Sequence, residues 1–132
     1  MTAILVAEDD EELCQAMVGL FKRNGYTVYS AISGNKAIEV LRTTQDIDLV
    51  LSDYFMPDGD GRKLLEYVRT LPNTRPIFIL ITGQADLSAK EMLQLGADQM
   101  LFKPIPIREL LSIVASSIER RSSDANHSGK PS

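Results

Sequence analysis

Asp53 is the residue of this chain best placed to act as a nucleophile. It follows the apolar run from Ile47 to Ser52, which predicts a buried strand that ends at the carboxylate. Two further acids, Glu8 and Asp9, follow the first apolar run of the chain. Because an open α/β sheet binds its ligands outside the carboxyl ends of its strands, we expect these three acids to meet at one edge.

A hydroxyl and an amine are predicted to reach the same edge. Thr82 ends the fourth apolar run, and Lys103 ends the fifth, just before Pro104. Each alone is explained more simply, Thr82 as a strand former and Lys103 as a solvated loop residue. Beside the acids, however, they suit a bound Mg²⁺ and a phosphoryl group, because Mg²⁺ prefers oxygen ligands and lysine offers phosphate a compact positive charge. Asp53 would then be the nucleophile.

The acidic run of Glu8, Asp9 and Asp10 also has a purely structural explanation. Acids at the start of a helix cap its amide groups and interact favourably with its dipole. Both explanations hold if Asp10 or Glu11 serves the following helix while Glu8 and Asp9 face a metal site. A metal would also offset the repulsion between adjacent like charges.

The segment Asp58-Gly59-Asp60-Gly61 has some similarity to a calcium-binding loop. The EF-hand pattern requires further oxygen ligands at fixed offsets, and Arg62 and Lys63 occupy ligand-side positions of that frame. We therefore interpret this segment as a tight turn, for which its glycines are suited.

Composition excludes several functional classes. The 132 residues carry a net charge of −4, which disfavours direct nucleic-acid binding. No apolar stretch approaches a membrane span of about 18 residues, and no secretion signal is evident, so a cytoplasmic protein without membrane contact is expected. The lone Cys14 excludes an intrachain disulfide. The lone His127 lies in a polar tail, so no base is left for Ser-His-acid catalysis.

Apolar runs alternate with helical patterns five times, which predicts a parallel sheet with right-handed crossovers. The predicted strands are Ala3–Ala7, Tyr26–Ala31, Asp48–Ser52, Ile77–Thr82 and Met100–Phe102. The predicted helices are Glu11–Arg23, a helix led in by Ser33-Gly34 and ending near Thr43, Asp60–Leu71, Asp86–Leu95 and Ile107–Arg120. We assign residues 1–121 to one domain and predict a disordered tail over the polar segment 122–132.

The chain resembles the receiver domains of two-component response regulators over about residues 3–121. The resemblance rests on Glu8-Asp9, on Asp53 with Met56-Pro57 and Gly61, on Thr82, and on Lys103-Pro104. The order and spacing of these residues are specific together, although each is common alone. The resemblance implies a flavodoxin-like, doubly wound α/β fold whose five-stranded parallel sheet has the order 2-1-3-4-5 and is accompanied by five helices.

The resemblance also implies a reaction. Asp53 would accept a phosphoryl group from a phosphohistidine on a sensor histidine kinase or a histidine phosphotransfer protein. Thr82 would contact that group and Lys103 would pair with it. The chain would thus be a signalling switch with a downstream protein target, not an enzyme acting on other substrates. Met1 two residues before the first strand favours a single-domain regulator, and a receiver excised from a larger regulator or a hybrid kinase is the alternative.

A cofactor is implied by the same resemblance. Mg²⁺ would be bound directly by Asp9, by Asp53 and by the backbone carbonyl of Phe55, while Glu8 would act through water. Phe55 and Gln84 lie at loop positions beside the site that could govern the access of water and thus the lifetime of the phosphoryl group.

One position departs from the family pattern. Met100 stands where the family usually has an aromatic residue that couples to the threonine.

Two alternative functions stay open. A haloacid-dehalogenase-like phosphatase would also use aspartate, Mg²⁺, threonine and lysine. It would need a second aspartate where this chain has Phe55, and its nucleophile would lie on the first strand. A receiver-like scaffold that is not phosphorylated is the other alternative.

Overall fold

The structure is a computed structural model that describes residues 2–72, 75–84 and 87–128, with residues 123–128 described by their backbone only. Five strands and five helices alternate along the chain. The strands are β1 (Ala3–Ala7), β2 (Thr27–Ala31), β3 (Leu49–Asp53), β4 (Ile77–Thr82) and β5 (Gln99–Phe102). The helices are α1 (Glu11–Arg23), α2 (Gly34–Thr43), α3 (Gly61–Arg69), α4 (Ala89–Gln94) and α5 (Ile107–Ser128).

The five strands form one parallel sheet in the order β2-β1-β3-β4-β5. The register pairs Asp53 with Ile81 and Thr82 with Phe102. The carboxyl ends of β3, β4 and β5 therefore lie next to one another along the same edge. The flavodoxin-like fold, the strand order and the number of helices predicted from the sequence are confirmed.

Both faces of the sheet are covered by apolar side chains. On one face, Ile79 of β4 lies in a cluster that includes residues of α1 and α5. On the other face, Leu80 lies in a cluster that includes residues of α2, α3 and α4. All six residues of β4 are buried, as expected for a central strand of a parallel sheet with helices on both sides. The sheet is thus a rigid frame for the residues at its edge.

Two aspartates fix the strands at the opposite, amino-terminal edge. Asp48 accepts a hydrogen bond from the Ala3 amide at 2.8 Å, which links the start of β3 to β1. Asp98 accepts one from the Phe78 amide at 2.8 Å, which links the start of β5 to β4. Each bond to a charged carboxylate contributes about 1.5–3 kcal/mol, and both hold the register that aligns the carboxyl ends.

Several element ends differ from the prediction, and the end of α3 and the start of α4 differ by two and three residues. Helix α3 ends at Arg69, whereas the sequence pattern extended it to Leu71. Helix α4 begins at Ala89, because Ser88 caps it by accepting from the Glu91 amide at 3.1 Å. Asp86, where this helix was predicted to begin, lies outside the described residues.

The last helix differs most from the prediction. A disordered tail was predicted over residues 122–132. The backbone of α5 is helical as far as Ser128, and residues 129–132 lie outside the described residues. This segment contains no glycine or proline before Gly129, and extending an established helix costs far less than starting one. The assignment of residues 1–121 to one domain stays a prediction. None of the helices in the described residues is long and apolar enough to cross a membrane.

Candidate functional site

Lys103 joins two of the predicted acids. Its Nζ lies 3.1 Å from Oδ2 of Asp53 and 3.3 Å from Oε1 of Glu8. Asp53 ends β3, Glu8 follows β1 and Lys103 follows β5, so three strand ends deliver these groups to one point. The side chain of Asp53 has an exposed fraction of 10%, so it is largely buried but keeps some contact with solvent at the edge of the sheet.

Glu8 is a buried acid in this site. Its exposed fraction is 2%, and its Oε2 accepts a hydrogen bond from the Asp10 amide at 3.1 Å. Burial raises the pKa of Glu8 to about 7, and the nearby charge of Asp53 adds to this, while the Asp10 amide and Lys103 oppose it. An ionised Glu8 therefore costs free energy here, and further positive charge in the site would lower that cost.

The acidic cluster fits a divalent cation. Carboxylate oxygens of Glu8, Asp9 and Asp53 all lie within 4.8 Å of one another. Opposite ligands of Mg²⁺, at about 2.0–2.1 Å from the ion, are roughly 4.2 Å apart, so small side-chain movements would bring two of these oxygens into range. Asp9 is exposed, which leaves a route from solvent to the cluster. The residues present are thus suitable for Mg²⁺.

Asp10 belongs to the helix and not to the cluster. It is the N-cap of α1, and its Oδ1 accepts from the amides of Glu12 at 3.1 Å and Leu13 at 3.3 Å. This confirms that Asp10, one of the two residues predicted for this role, serves the helix. Glu8 and Asp9 lie beside Asp53, and their predicted role in a metal site stays a prediction.

The ammonium group of Lys103 is held in its charged form. Burial by itself lowers the pKa of Lys103, but hydrogen bonds and charges from Asp53 and Glu8 outweigh it and hold the pKa above its ordinary value. The amide of Lys103 donates to the carbonyl of Thr82 at 2.8 Å, which ties the end of β5 to the end of β4. Lys103 therefore carries a positive charge at a position fixed by the sheet.

Thr82 ends β4 and is completely buried. Its Oγ1 accepts a hydrogen bond from the Gln84 amide at 3.0 Å. A hydroxyl that accepts one hydrogen bond can still donate another. Ile81, the residue before Thr82, pairs with Asp53 on the adjacent strand β3. Its predicted contact with a phosphoryl group stays a prediction.

The other carboxylate oxygen of Asp53 has a partner that sequence reasoning missed. The amide of Tyr54 donates to Oδ1 of Asp53 at 2.8 Å. Asp53 Oδ1 and Oδ2 are thus fixed separately, by Tyr54 and Lys103. A backbone amide bond leaves no signal in the residue types, so the sequence could not reveal it. The next residue, Phe55, is exposed and stacks edge-on against Tyr54 with 4.7 Å between ring centroids, and its predicted role as a carbonyl ligand stays a prediction.

Gly61 allows the next helix to start against the end of β3. A Cβ atom at this position would lie 2.6 Å from the carbonyl oxygen of Asp53 and 2.9 Å from Cα of Tyr54. The Gly61 amide donates to the carbonyl of Tyr54 at 2.7 Å. The glycine found in the motif is therefore required by a close backbone approach directly behind Asp53.

Both acids of the Asp58–Gly61 turn are used in contacts away from the acidic cluster. Asp60 is the N-cap of α3 and accepts from the Lys63 amide at 2.9 Å. Asp58 accepts from Asn35 Nδ2 at 2.8 Å and from Ser33 Oγ at 3.2 Å. Sequence reasoning missed these last contacts, because their partners lie 23 and 25 residues away. The acids of the turn thus serve the protein's own structure, in agreement with the interpretation of this segment as a tight turn.

Met100 lies at the position where the resemblance led us to expect an aromatic residue. It is half-buried and packs against the core cluster on the α2–α4 side of the sheet. The exposed aromatic residue of β5 is instead Phe102, with an exposed fraction of 43%. The aromatic ring at this edge is therefore two residues closer to Lys103 along the chain than the family pattern places it.

Comparison with known proteins places the chain in a family. A model of the response regulator receiver domain matches residues 4–115. The receiver domain of a Francisella response regulator is 30% identical, with 92% of this chain and 99% of that chain covered and a TM-score of 0.80. A two-component response regulator from Clostridium difficile is 28% identical, with 92% and 98% covered and a TM-score of 0.80. The receiver domain of a putative LuxO repressor protein from Vibrio parahaemolyticus is 25% identical, with 98% of each chain covered and a TM-score of 0.83. The chain belongs to the response regulator receiver domain family.

Proposed function

We propose that this receiver domain takes a phosphoryl group onto Asp53 in a two-component phosphorelay, with Mg²⁺ as its cofactor. The donor is a phosphohistidine on a sensor histidine kinase or a histidine phosphotransfer protein. The observation that carries the proposal is the Asp53 carboxylate at the sheet edge, 3.1 Å from the Lys103 ammonium and within 4.8 Å of the oxygens of Glu8 and Asp9.

The reaction forms one bond and breaks one. A carboxylate oxygen of Asp53 attacks the phosphorus of the donor, the bond between phosphorus and the imidazole nitrogen breaks, and its electron pair returns to that nitrogen. The product is an acyl phosphate on Asp53. Because phosphoryl transfer depends mainly on positioning and charge stabilisation, the fixed orientation of Asp53 by Tyr54 and the positive charge of Lys103 are the protein's main contributions.

Mg²⁺, when bound, would neutralise charge on the transferring phosphoryl group and on the acidic cluster. Its ligands would be Asp9, Asp53 and the carbonyl of Phe55. Glu8 would act through water. The buried position of Glu8 and its 3.3 Å contact with Lys103 support an indirect role, since this acid is already engaged with the lysine.

Phosphorylation would change the charge at the sheet edge and thereby switch the domain. A phosphoryl group carries about −1.5 to −2 charge, so Lys103 would be drawn to it, and the Thr82 hydroxyl would donate to one of its oxygens. Thr82 ends β4 and Lys103 directly follows β5, so the loops after these strands would move with them. The domain would act as a cytoplasmic signalling switch for a downstream protein, with no direct contact to nucleic acid.

Incubation with Mg²⁺ and acetyl phosphate tests the proposal. Intact-mass spectrometry should show one added phosphoryl group that is stable in acid and lost in base. Asp53→Asn should abolish the adduct, and Asp46→Asn, at an exposed aspartate before β3, should not.

The same experiment separates the alternatives. Steady hydrolysis of many phosphate esters would favour a haloacid-dehalogenase-like phosphatase. The absence of both the adduct and Mg²⁺-dependent beryllofluoride binding would favour a receiver-like scaffold.

A further inference from the structure

The start of α2 is hydrogen-bonded to the loop that follows Asp53. Four hydrogen bonds connect residues 33–35 with residues 58 and 59. Two are between side chains, from Asn35 Nδ2 and Ser33 Oγ to the carboxylate of Asp58, at 2.8 and 3.2 Å. Two are between backbones, from the Asn35 amide to the Asp58 carbonyl at 3.0 Å and from the Gly34 amide to the Gly59 carbonyl at 2.7 Å. We call this set of contacts the α2 latch.

The two backbones of the latch are in direct contact. A Cβ atom on Gly34 would lie 2.5 Å from the Gly59 carbonyl oxygen, and one on Gly59 would lie 2.8 Å from the Asn35 amide nitrogen. Real Cβ atoms do not approach backbone atoms so closely, so glycine at both positions is required for this packing.

Asp58 holds an uncommon backbone conformation in the latch. Its φ angle is 57° and that of Gly59 is 99°. The left-handed region costs a residue with a Cβ atom free energy, although aspartate and asparagine tolerate it better than most. Hydrogen bonds from Asn35 and Ser33 hold the pKa of Asp58 below its ordinary value, so the carboxylate is ionised at neutral pH. The two side-chain contacts therefore stabilise a conformation that the loop alone would not favour.

The loop is fixed at both its base and its tip. At the base, the Gly61 amide donates to the Tyr54 carbonyl, and at the tip, Asp58 and Gly59 are held by α2. Phe55 and Met56 lie between these two points, and Met56 is buried in the core. Release of the tip would leave the segment beside Asp53 held at the base by the Gly61–Tyr54 hydrogen bond and in the core by Met56.

We propose that Asp58, held by Ser33 and Asn35, is a positioning residue that fixes the loop carrying Phe55 in the geometry needed to bind Mg²⁺. This inference rests on the proposed function, because the Phe55 carbonyl is the ligand that the loop would present. The Asp58 carboxylate contacts Ser33 and Asn35 and is not among the groups assigned to the metal or the phosphoryl group. It acts through the loop backbone, so its loss would leave Asp9, Asp53, Thr82 and Lys103 chemically intact.

The test compares Asp58→Gly with a matched control. Glycine accepts the φ angle of Asp58 without strain. This variant therefore removes the two carboxylate contacts and leaves the backbone groups of residue 58 in place. Asp46→Gly is the control, because Asp46 also has a positive φ angle, 68°, but lies before β3 at the opposite edge of the sheet. Asn35→Ala, which removes one contact without altering the loop, is the second variant.

Mg²⁺ affinity is measured by isothermal titration calorimetry, at a temperature where circular dichroism shows every variant folded. Loss of a group that orients a metal ligand costs roughly tenfold or more in metal affinity. We expect about tenfold weaker binding in Asp58→Gly, a smaller loss in Asn35→Ala, and an unchanged affinity in Asp46→Gly. Asp58→Asn, which retains an acceptor and tolerates the φ angle, should recover part of the loss.

Amide hydrogen exchange in the metal-free protein gives a second readout. The amides of Gly34 and Asn35 donate across the latch and should exchange faster in Asp58→Gly, whereas the Gly61 amide at the base should be less affected. Wild-type affinity for Mg²⁺ in Asp58→Gly, or an equal loss in Asp46→Gly, would overturn the positioning role alone. A wild-type protein that binds no Mg²⁺ would overturn the proposed function and this inference with it.

Discussion

The ammonium nitrogen of Lys103 lies 3.1 Å from Oδ2 of Asp53, although 50 residues separate the two along the chain. The sheet produces this contact, because β3 and β5 flank β4 and present their ends at one edge. The same ammonium contacts the buried Glu8. One lysine thus balances part of the charge of an acidic cluster, and the proposed function would have it transfer its contact from a carboxylate to a phosphoryl group.

Lys103→Ala should separate metal binding from switching. We expect Mg²⁺ affinity to be equal to or higher than that of the wild type, because a positive charge beside the acidic cluster is removed. The response to beryllofluoride, followed by amide chemical shifts in the loops after β4 and β5, should be strongly reduced. A full wild-type response in this variant would contradict the role given to Lys103.

Mg²⁺ should raise the thermal stability of the wild type, and Asp9→Asn should lose this effect. A ligand that binds only the folded state at 100 times its Kd adds about 2.7 kcal/mol to the free energy of unfolding. Thermal unfolding with and without Mg²⁺ measures this increase in stability. Asp10→Asn is the control, because Asp10 caps α1 outside the acidic cluster. An undiminished increase in Asp9→Asn would show that the ion binds elsewhere.

Gly61→Ala should destabilise the fold and disturb Asp53. The added methyl group would lie 2.6 Å from the Asp53 carbonyl oxygen, so the backbone must shift, at a cost of about 1–3 kcal/mol. Chemical denaturation measures the loss. Gly83→Ala is the control, because a Cβ atom there would have no neighbour within 4 Å. Equal stabilities for the two variants would contradict the close approach seen behind Asp53.

The stability contributed by Asp58 should depend on pH in the acid range. Hydrogen bonds from Asn35 and Ser33 lower the pKa of Asp58 from its ordinary 3.8. A depressed pKa in the folded state gives stability that is present above the unfolded value and is lost as pH falls through the folded value. Asp58→Gly should therefore lose less stability than the wild type between pH 5 and pH 2 in urea denaturation. Parallel stability curves for the two proteins would argue against these contacts in solution.

Cys14 should resist alkylation until the protein unfolds. The thiol is buried, and burial followed by the charge of Glu8 raises the pKa of Cys14 above its usual value of 9.0. Only the thiolate reacts with iodoacetamide, so labelling at pH 8 should be slow in buffer and rapid in denaturant. Rapid labelling of the folded protein would indicate that α1 opens readily.

Local pattern predicted the parallel α/β class and the residues at the sheet edge, whereas the strand order was implied by the family resemblance. Apolar runs followed at once by Asp53, Thr82 and Lys103 mark the strand ends, and parallel strands bring such ends together. Helix boundaries were less well predicted. The start of α4 at Ala89 depends on Ser88 as a cap, and polar residues after Arg121 did not prevent α5 from continuing.

The α2 latch could not be predicted, for a physical reason. Asn35 and Asp58 are ordinary turn residues in the sequence, and their pairing depends on how closely two loops approach in space. Gly34 and Gly59 permit that approach, but glycine alone also fits many turns. The same holds for the amide of Tyr54, whose bond to Asp53 has no signature in residue type.

Mapping the phosphoryl group to a residue tests the central claim most directly. After reaction with acetyl phosphate and Mg²⁺, borohydride reduces an aspartyl phosphate to homoserine, and peptide mass spectrometry locates the reduced residue. We predict homoserine at position 53 alone, and none when Mg²⁺ is omitted. Reduction at another aspartate, or no reduction under conditions where the protein binds Mg²⁺, would contradict the assignment of Asp53 as the phospho-acceptor.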